Sequence, residues 1–122
     1  MALRSALLLE DEPIVGFALE DMLLELGFEE AELATTIQQA FEYLESRQPD
    51  VAILDVNIHG ERSYAVATAL KQSGIPFVFA TGYGDAEHPQ SLREVPTLTK
   101  PYSLSDLRDV LAAVHPGAAN ED

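Results

Sequence analysis

Short, nearly continuous apolar runs alternate along this chain with longer stretches of helical spacing. The runs are Ala6 to Leu9 (ALLL), Val51 to Leu54 (VAIL) and Pro76 to Ala80 (PFVFA), the pattern of parallel strands buried on both faces. Ala31 to Thr35 (AELAT) alternates instead and reads as an edge strand, and Val95 to Thr99 is a weaker fifth candidate. Between them, Pro13 to Leu26 reads as a helix, with Pro13 in its first turn and Gly27 at its end. Thr35 or Thr36 can cap a second helix, in which Ile37, Ala40, Phe41 and Leu44 follow the i, i+3, i+4, i+7 spacing. A third is predicted from about Arg62 to Gln72, burying Val66, Ala67 and Leu70 and closing at Gly74. A last helix starts at Ser103 or Ser105 with Leu104, Leu107, Leu111 and Val114 on one face. The stretch from Gly82 to Val95 has room only for about two turns near Gln90 to Glu94, so a short or mobile fourth helix is expected there. His115 to Asp122 reads as a frayed tail. This order of elements predicts stacked βα units, an α/β chain with five strands.

The 122 residues fit a single domain, with its core over about residues 3–114. The chain carries 21 acidic residues against 7 basic ones, a net charge of −14, which argues against nucleic-acid binding. Between Glu10 and Glu45 there is no Lys or Arg at all. The absence of cysteine excludes disulfides and thiolate metal sites, and no run is long enough for a signal peptide or membrane span. A soluble, cytoplasmic protein is expected.

In an open parallel sheet the crossovers are right-handed and bring the C-terminal ends of all strands to one edge, where ligands bind. Here those ends carry Glu10, Asp11 and Glu12 after the first strand, Asp55, Val56 and Asn57 after the third, Thr81 and Gly82 after the fourth, and Thr99, Lys100 and Pro101 after the fifth. Carboxylates from two strands at about 5 Å repel by roughly 3 kcal/mol at an effective dielectric near 20, so they call for a counter-charge. Mg²⁺ suits such hard oxygen ligands. With a cation and Lys100 neutralising charge and Thr81 donating a hydrogen bond, Asp55 could act as nucleophile in phosphoryl transfer.

At these positions the chain resembles the CheY-like receiver domain of two-component response regulators. The resemblance covers about residues 3–114 and rests on Glu10 and Asp11, Asp55, Thr81 and the Lys100-Pro101 pair, in the right order at the right strand ends. It implies a flavodoxin-like, doubly wound (βα)5 fold with a five-stranded parallel sheet in the order 2-1-3-4-5. It further implies that Asp55 accepts a phosphoryl group from the phosphohistidine of a histidine kinase or phosphotransfer protein. Glu10, Asp11, Asp55 and the main-chain carbonyl of Asn57 would bind Mg²⁺, Lys100 would pair with the phosphate before a cis Lys100-Pro101 bond, and Thr81 would be the switch hydroxyl. The segment from Pro76 to Gly84 (PFVFATGYG), with Leu54 to Ile58 (LDVNI), is similar to the FATGUY subclass. Its members are commonly stand-alone receivers and are often associated with HWE or HisKA2-type kinases.

Three departures stand out. Thr97 occupies the place of the usual switch aromatic, leaving Tyr83 or Tyr102 to report the switch. Ile58-His59-Gly60 replaces the usual Met-Pro after Asp55. Thr81 and Lys100 are only 19 positions apart, an interval that holds the weak fourth helix, so an output dimer of the usual kind is not predicted and a monomer is favoured. His59, His88 and His115 read as surface residues, Glu12 as a helix-start charge, and Phe17, Met22 and Leu24 as core. Glu20, Asp21 and Glu25 read as a solvated face of the first helix, which the family commonly uses for kinase docking.

The resulting expectation is a stand-alone receiver, a switch or phosphorelay intermediate that catalyses only its own phosphotransfer and dephosphorylation. The alternative is a receiver-like interaction adaptor that is not phosphorylated. A phosphatase or nucleotide hydrolase is disfavoured, because Asp55-Val56-Asn57 lacks a second aspartate and no P-loop occurs. A flavin carrier would need a phosphate-cradling loop where Glu10, Asp11 and Glu12 stand.

Overall fold

Burial of the apolar runs on both faces sets the architecture. The computed structural model describes residues 4–82, 89–92 and 94–114. Its elements are β1 (Ser5–Leu9), α1 (Pro13–Glu25), β2 (Glu30–Ala34), α2 (Ile37–Ser46), β3 (Val51–Asp55), a short pair β4 (Asn57–Ile58) and β5 (Glu61–Arg62), α3 (Tyr64–Gln72), β6 (Phe77–Thr81), β7 (Thr97–Thr99) and α4 (Leu104–Val114). The parallel sheet has the order β2-β1-β3-β6-β7. Counted over its five strands alone, this is the expected 2-1-3-4-5. The strands β1, β3 and β6 are buried almost throughout, whereas the edge strand β2 alternates.

Two apolar cores lie on opposite sides of this sheet. On one, Leu7, Leu9, Leu54, Phe77 and Phe79 meet Ala40 of α2, Val66, Ala67 and Leu70 of α3, and Leu92. On the other, Leu8, Ile53, Val78 and Leu98 meet Leu19 and Leu23 of α1 and Leu107 and Leu111 of α4. Alternation along each strand sends successive side chains to opposite cores.

The starts of α2 and α4 are fixed by side chains. Thr36 accepts a hydrogen bond from the Gln39 main-chain N–H at 3.0 Å, as expected of a cap. Ser103 and Asp106 bond reciprocally, each main-chain N–H donating to the other side chain, which selects Ser103 over Ser105 as the start of α4.

Three expectations need correction. The fifth strand is only three residues long, Thr97–Thr99. The third helix begins at Tyr64, because Arg62 pairs with Asn57 in a short hairpin. Phe17 and Leu24 are not core: they are 56% and 50% exposed, and Ile14 is 83% exposed. At about 100° per residue, the sheet-facing stripe Gly16, Leu19 and Leu23 leaves Phe17 and Leu24 a quarter-turn round. Met22 does pack against the core, from its border. In the region of the fourth helix, where about two turns are expected near Gln90 to Glu94, the described residues form a single 3₁₀ turn, Gln90–Leu92. Tyr83, His88, His115 and the tail lie outside the described residues.

Candidate functional site

Four of the five parallel strands deliver polar groups to the C-terminal edge of the sheet. β1 runs into Glu10, whose main-chain N–H donates to Ala34 O at the end of β2. β3 ends in Asp55, level with Ala80 of β6 in the strand register. Thr81 closes β6, and its carbonyl accepts the Lys100 main-chain N–H at 2.8 Å. That bond brings Lys100 to the same edge, where its peptide bond to Pro101 is cis, as expected.

There, Lys100 Nζ donates to Glu10 Oε1 at 2.7 Å and to Asp55 Oδ2 at 3.0 Å. Carboxylate oxygens of Glu10, Asp11 and Asp55 lie within 4.8 Å of one another. Glu10 is 2% exposed, Asp55 9% and Thr81 7%. Asn57 begins the short hairpin with an exposed side chain, and its main-chain N–H makes a long 3.4 Å contact with Asp55 Oδ1. The carboxylates and lysine singled out in the sequence thus meet directly, with Thr81 at the end of the neighbouring strand. Glu12 stands outside this cluster, exposed, and its main-chain N–H donates to Glu10 Oε2 at 3.1 Å.

Three carboxylates and one ammonium carry a formal charge of two negatives, the charge that one divalent cation balances. The cost is visible in Glu10, whose pKa is raised above 4.5: burial disfavours its charge and Asp55 adds repulsion, against the opposing Lys100 hydrogen bond. For Lys100, burial works against the charge, but its hydrogen bonds to Glu10 and Asp55 prevail and its pKa is raised above 10.5. Its stabilising contribution is therefore complete below pH 10.5 and is lost only as pH climbs through the raised value. The donor set is all hard oxygen, and its charge matches Mg²⁺. Burial also raises the pKa of the Tyr102 phenol, which packs against the α1 and α4 core.

Two features escaped the sequence reading. Ser63 is fully buried, and its Oγ donates to the main-chain carbonyl of Asp55 at 2.6 Å. His59 lies in the hairpin turn with φ of +50°, followed by Gly60 at +84°, the type I′ geometry of a two-residue hairpin loop. Gly60 was the one local signal for that turn.

An apolar groove of about 500 Å³ opens beside the cluster, between Ile14, Ala18 and Met22 of α1 and the Lys100, Pro101 and Tyr102 segment. Among the described residues, no helix is long and apolar enough to cross a membrane.

Residues 6–112 match the family profile of the response regulator receiver domain. The solved structure of SdrG from Sphingomonas melonis is 40% identical, with a TM-score of 0.83 over 93% of this chain and 98% of that one. A BeF3-activated conformation of SdrG is 41% identical, with a TM-score of 0.78 over 92% and 96% of the two chains. The transcriptional regulatory protein PdtaR of Mycobacterium tuberculosis is 32% identical over 108 residues, covering 85% of this chain and 53% of PdtaR. The chain spans about half the length of the curated relatives it matches.

Proposed function

This chain belongs to the response regulator receiver domain family of two-component systems, and from that premise we propose that it is a phosphoryl-accepting switch with Asp55 as the acceptor. The observation that carries the proposal is the Lys100 ammonium bridging Asp55 and Glu10, with Asp11 alongside and two negative charges left over. In the reaction, an Asp55 carboxylate oxygen attacks the phosphorus of a phosphohistidine. The N–P bond breaks, its electron pair stays on the imidazole, which takes up a proton, and an acyl phosphate forms on Asp55. Lys100 is placed to move from Asp55 Oδ2 onto a phosphoryl oxygen, and the Thr81 hydroxyl to donate to another. Glu10, Asp11, Asp55 and the Asn57 carbonyl would hold Mg²⁺, which supplies charge neutralisation for the phosphoryl oxygens. The chain on this reading catalyses only the gain and loss of its own phosphate. The existence of a BeF3-activated conformation of SdrG supports the reading, since beryllofluoride imitates a phosphoryl group on a carboxylate.

The test is the intact mass of the chain after incubation with Mg²⁺ and a phosphorylated histidine kinase, an HWE or HisKA2-type enzyme being the first choice. The expected result is a gain of one phosphoryl group that hydroxylamine removes. An unchanged mass with both kinase and small phosphodonor leaves the adaptor reading instead.

On this reading the groove beside α1 receives this partner. Ile14 lines this groove, and Phe17 and Leu24 are exposed on the same helix; on this reading an apolar helix of the partner lies along α1 with its phosphohistidine toward Lys100 and Asp55. Glu20, Asp21 and Glu25 on the same helix favour a basic rim on that partner. Phe17→Ala is expected to slow transfer from the kinase about tenfold, as loss of an aromatic anchor does, while labelling by acetyl phosphate stays at the parent rate. Equal slowing with both donors would place Phe17 outside the docking surface.

A further inference from the structure

The tip of the hairpin after Asp55 is bonded to two loops, the one between β1 and α1 and the one between β2 and α2. The main-chain N–H of His59 donates to Asp11 Oδ2 at 2.9 Å, and its imidazole Nε2 donates to the main-chain carbonyl of Thr35 at 3.0 Å. Thr35 is itself held, since its main-chain N–H and its hydroxyl both donate to Gln39 Oε1, at 2.8 and 3.1 Å. A continuous chain of bonds therefore runs from α2 through Thr35 and His59 to Asp11.

The backbone of His59 is the unusual link. A φ of +50° is a conformation that a residue with a Cβ adopts at some cost, and such residues persist where their surroundings hold them. Here the surroundings are the two bonds at the tip and the imidazole Nδ1, which lies 3.9 Å from Asp11 Oδ2, and the base of the hairpin is set by Ser63 on the Asp55 carbonyl. The left-handed turn is what aims the His59 N–H at Asp11. A proline in this turn could supply neither the φ nor the N–H.

We propose that His59 is a positioning residue for the cation site: its left-handed backbone, tied to Thr35 by the imidazole, holds the Asp11 carboxylate through the main-chain N–H. With Oδ2 bonded to the His59 N–H, the Asp11 carboxylate is restrained beside Glu10 and Asp55, so ordering it costs less when the cation arrives. The inference rests on the reading of Glu10, Asp11 and Asp55 as divalent-cation ligands.

Titration of the chain with Mg²⁺, followed through backbone amide resonances, tests it. The parent is expected to show a downfield His59 amide that moves upfield in Asp11→Asn with no cation present. His59→Ala should bind Mg²⁺ about tenfold more weakly, the scale seen when a group that orients a metal ligand is removed. His59→Asn, which tolerates the left-handed region, should fall between His59→Ala and the parent. Melting curves without Mg²⁺ separate this from a loss of fold, since the order of affinities is expected to hold when the melting temperatures do not follow it. A His59→Ala affinity within twofold of the parent, or higher because Asp11 is released, overturns the proposal and leaves the cation site standing. A parent that binds no Mg²⁺ overturns the cation reading itself.

Discussion

Asp55→Asn will give a folded chain that takes up no phosphoryl group from either a phosphorylated kinase or a small phosphodonor. The amide lacks the anionic oxygen that attacks phosphorus, and no neighbour substitutes well. Glu10 is buried, with Oε1 on Lys100 and Oε2 on the Glu12 N–H, and Asp11 holds the His59 N–H. Loss of stability will not explain the result. Asp55 is one of two carboxylates sharing a single ammonium, and its charge adds to the burial that raises the Glu10 pKa. Removing that charge leaves Glu10 and Lys100 as a matched pair, so without Mg²⁺ the variant should melt no lower than the parent. Intact mass and a melting curve on one sample check both halves. A phosphorylated Asp55→Asn chain would move the acceptor elsewhere, and a variant that melts well below the parent would mean that the Asp55 charge stabilises the fold.

How far the chain can be read from its residues depends on the length of the pattern. β1, β3 and β6 are visible because four or five consecutive buried residues stand between turn signals, and the parallel crossovers then force Glu10, Asp55, Thr81 and Lys100 to a single edge. Asp55 and Lys100 are 45 residues apart and still meet at 3.0 Å. The hairpin is a different case: its strands are two residues each, too short for any period, and its turn places a histidine at positive φ. Without the hairpin, neither the Ser63 bond to Asp55 nor the His59 bond to Asp11 can be foreseen. The face of α1 fails for the opposite reason. Its sequence PIVGFALEDMLLE is apolar on several sides, so the stripe does not choose a face. The sheet chooses it, because Gly16 brings the helix close to Leu33 and leaves Phe17 outside. The surplus apolar surface that blurred the reading is the surface assigned above to a partner.

Replacement of Lys100 by Met will make the fold depend on pH and on Mg²⁺. The lysine side chain is 19% exposed and the Glu10 carboxylate it holds 3%, so breaking this pair strands charge in a place that water reaches poorly. Truncating one partner of a buried pair costs about 3–5 kcal/mol. The lower end applies, because Glu10 can escape by taking up a proton. Its pKa is already raised by burial, the Lys100 hydrogen bond is the largest effect opposing the rise, and Asp55 pushes the same way as burial. Without the lysine it climbs further. The sign follows from proton binding: a folded-state pKa above the unfolded value near 4.5 means that the native state holds the proton more tightly, so stability falls as pH rises from about 4.5 through the folded value. Lys100→Met should therefore melt about 10 °C below the parent at pH 7.5, the shift expected for about 3 kcal/mol in a domain of this size. The gap should narrow as pH falls toward 4.5. Millimolar Mg²⁺ should recover part of it at neutral pH, since the cation offers the carboxylates the counter-charge that the ammonium supplied. A gap of the same size at both ends of that range, and indifferent to Mg²⁺, would mean that Lys100 serves by the packing of its aliphatic stem and that the cluster does not need its charge.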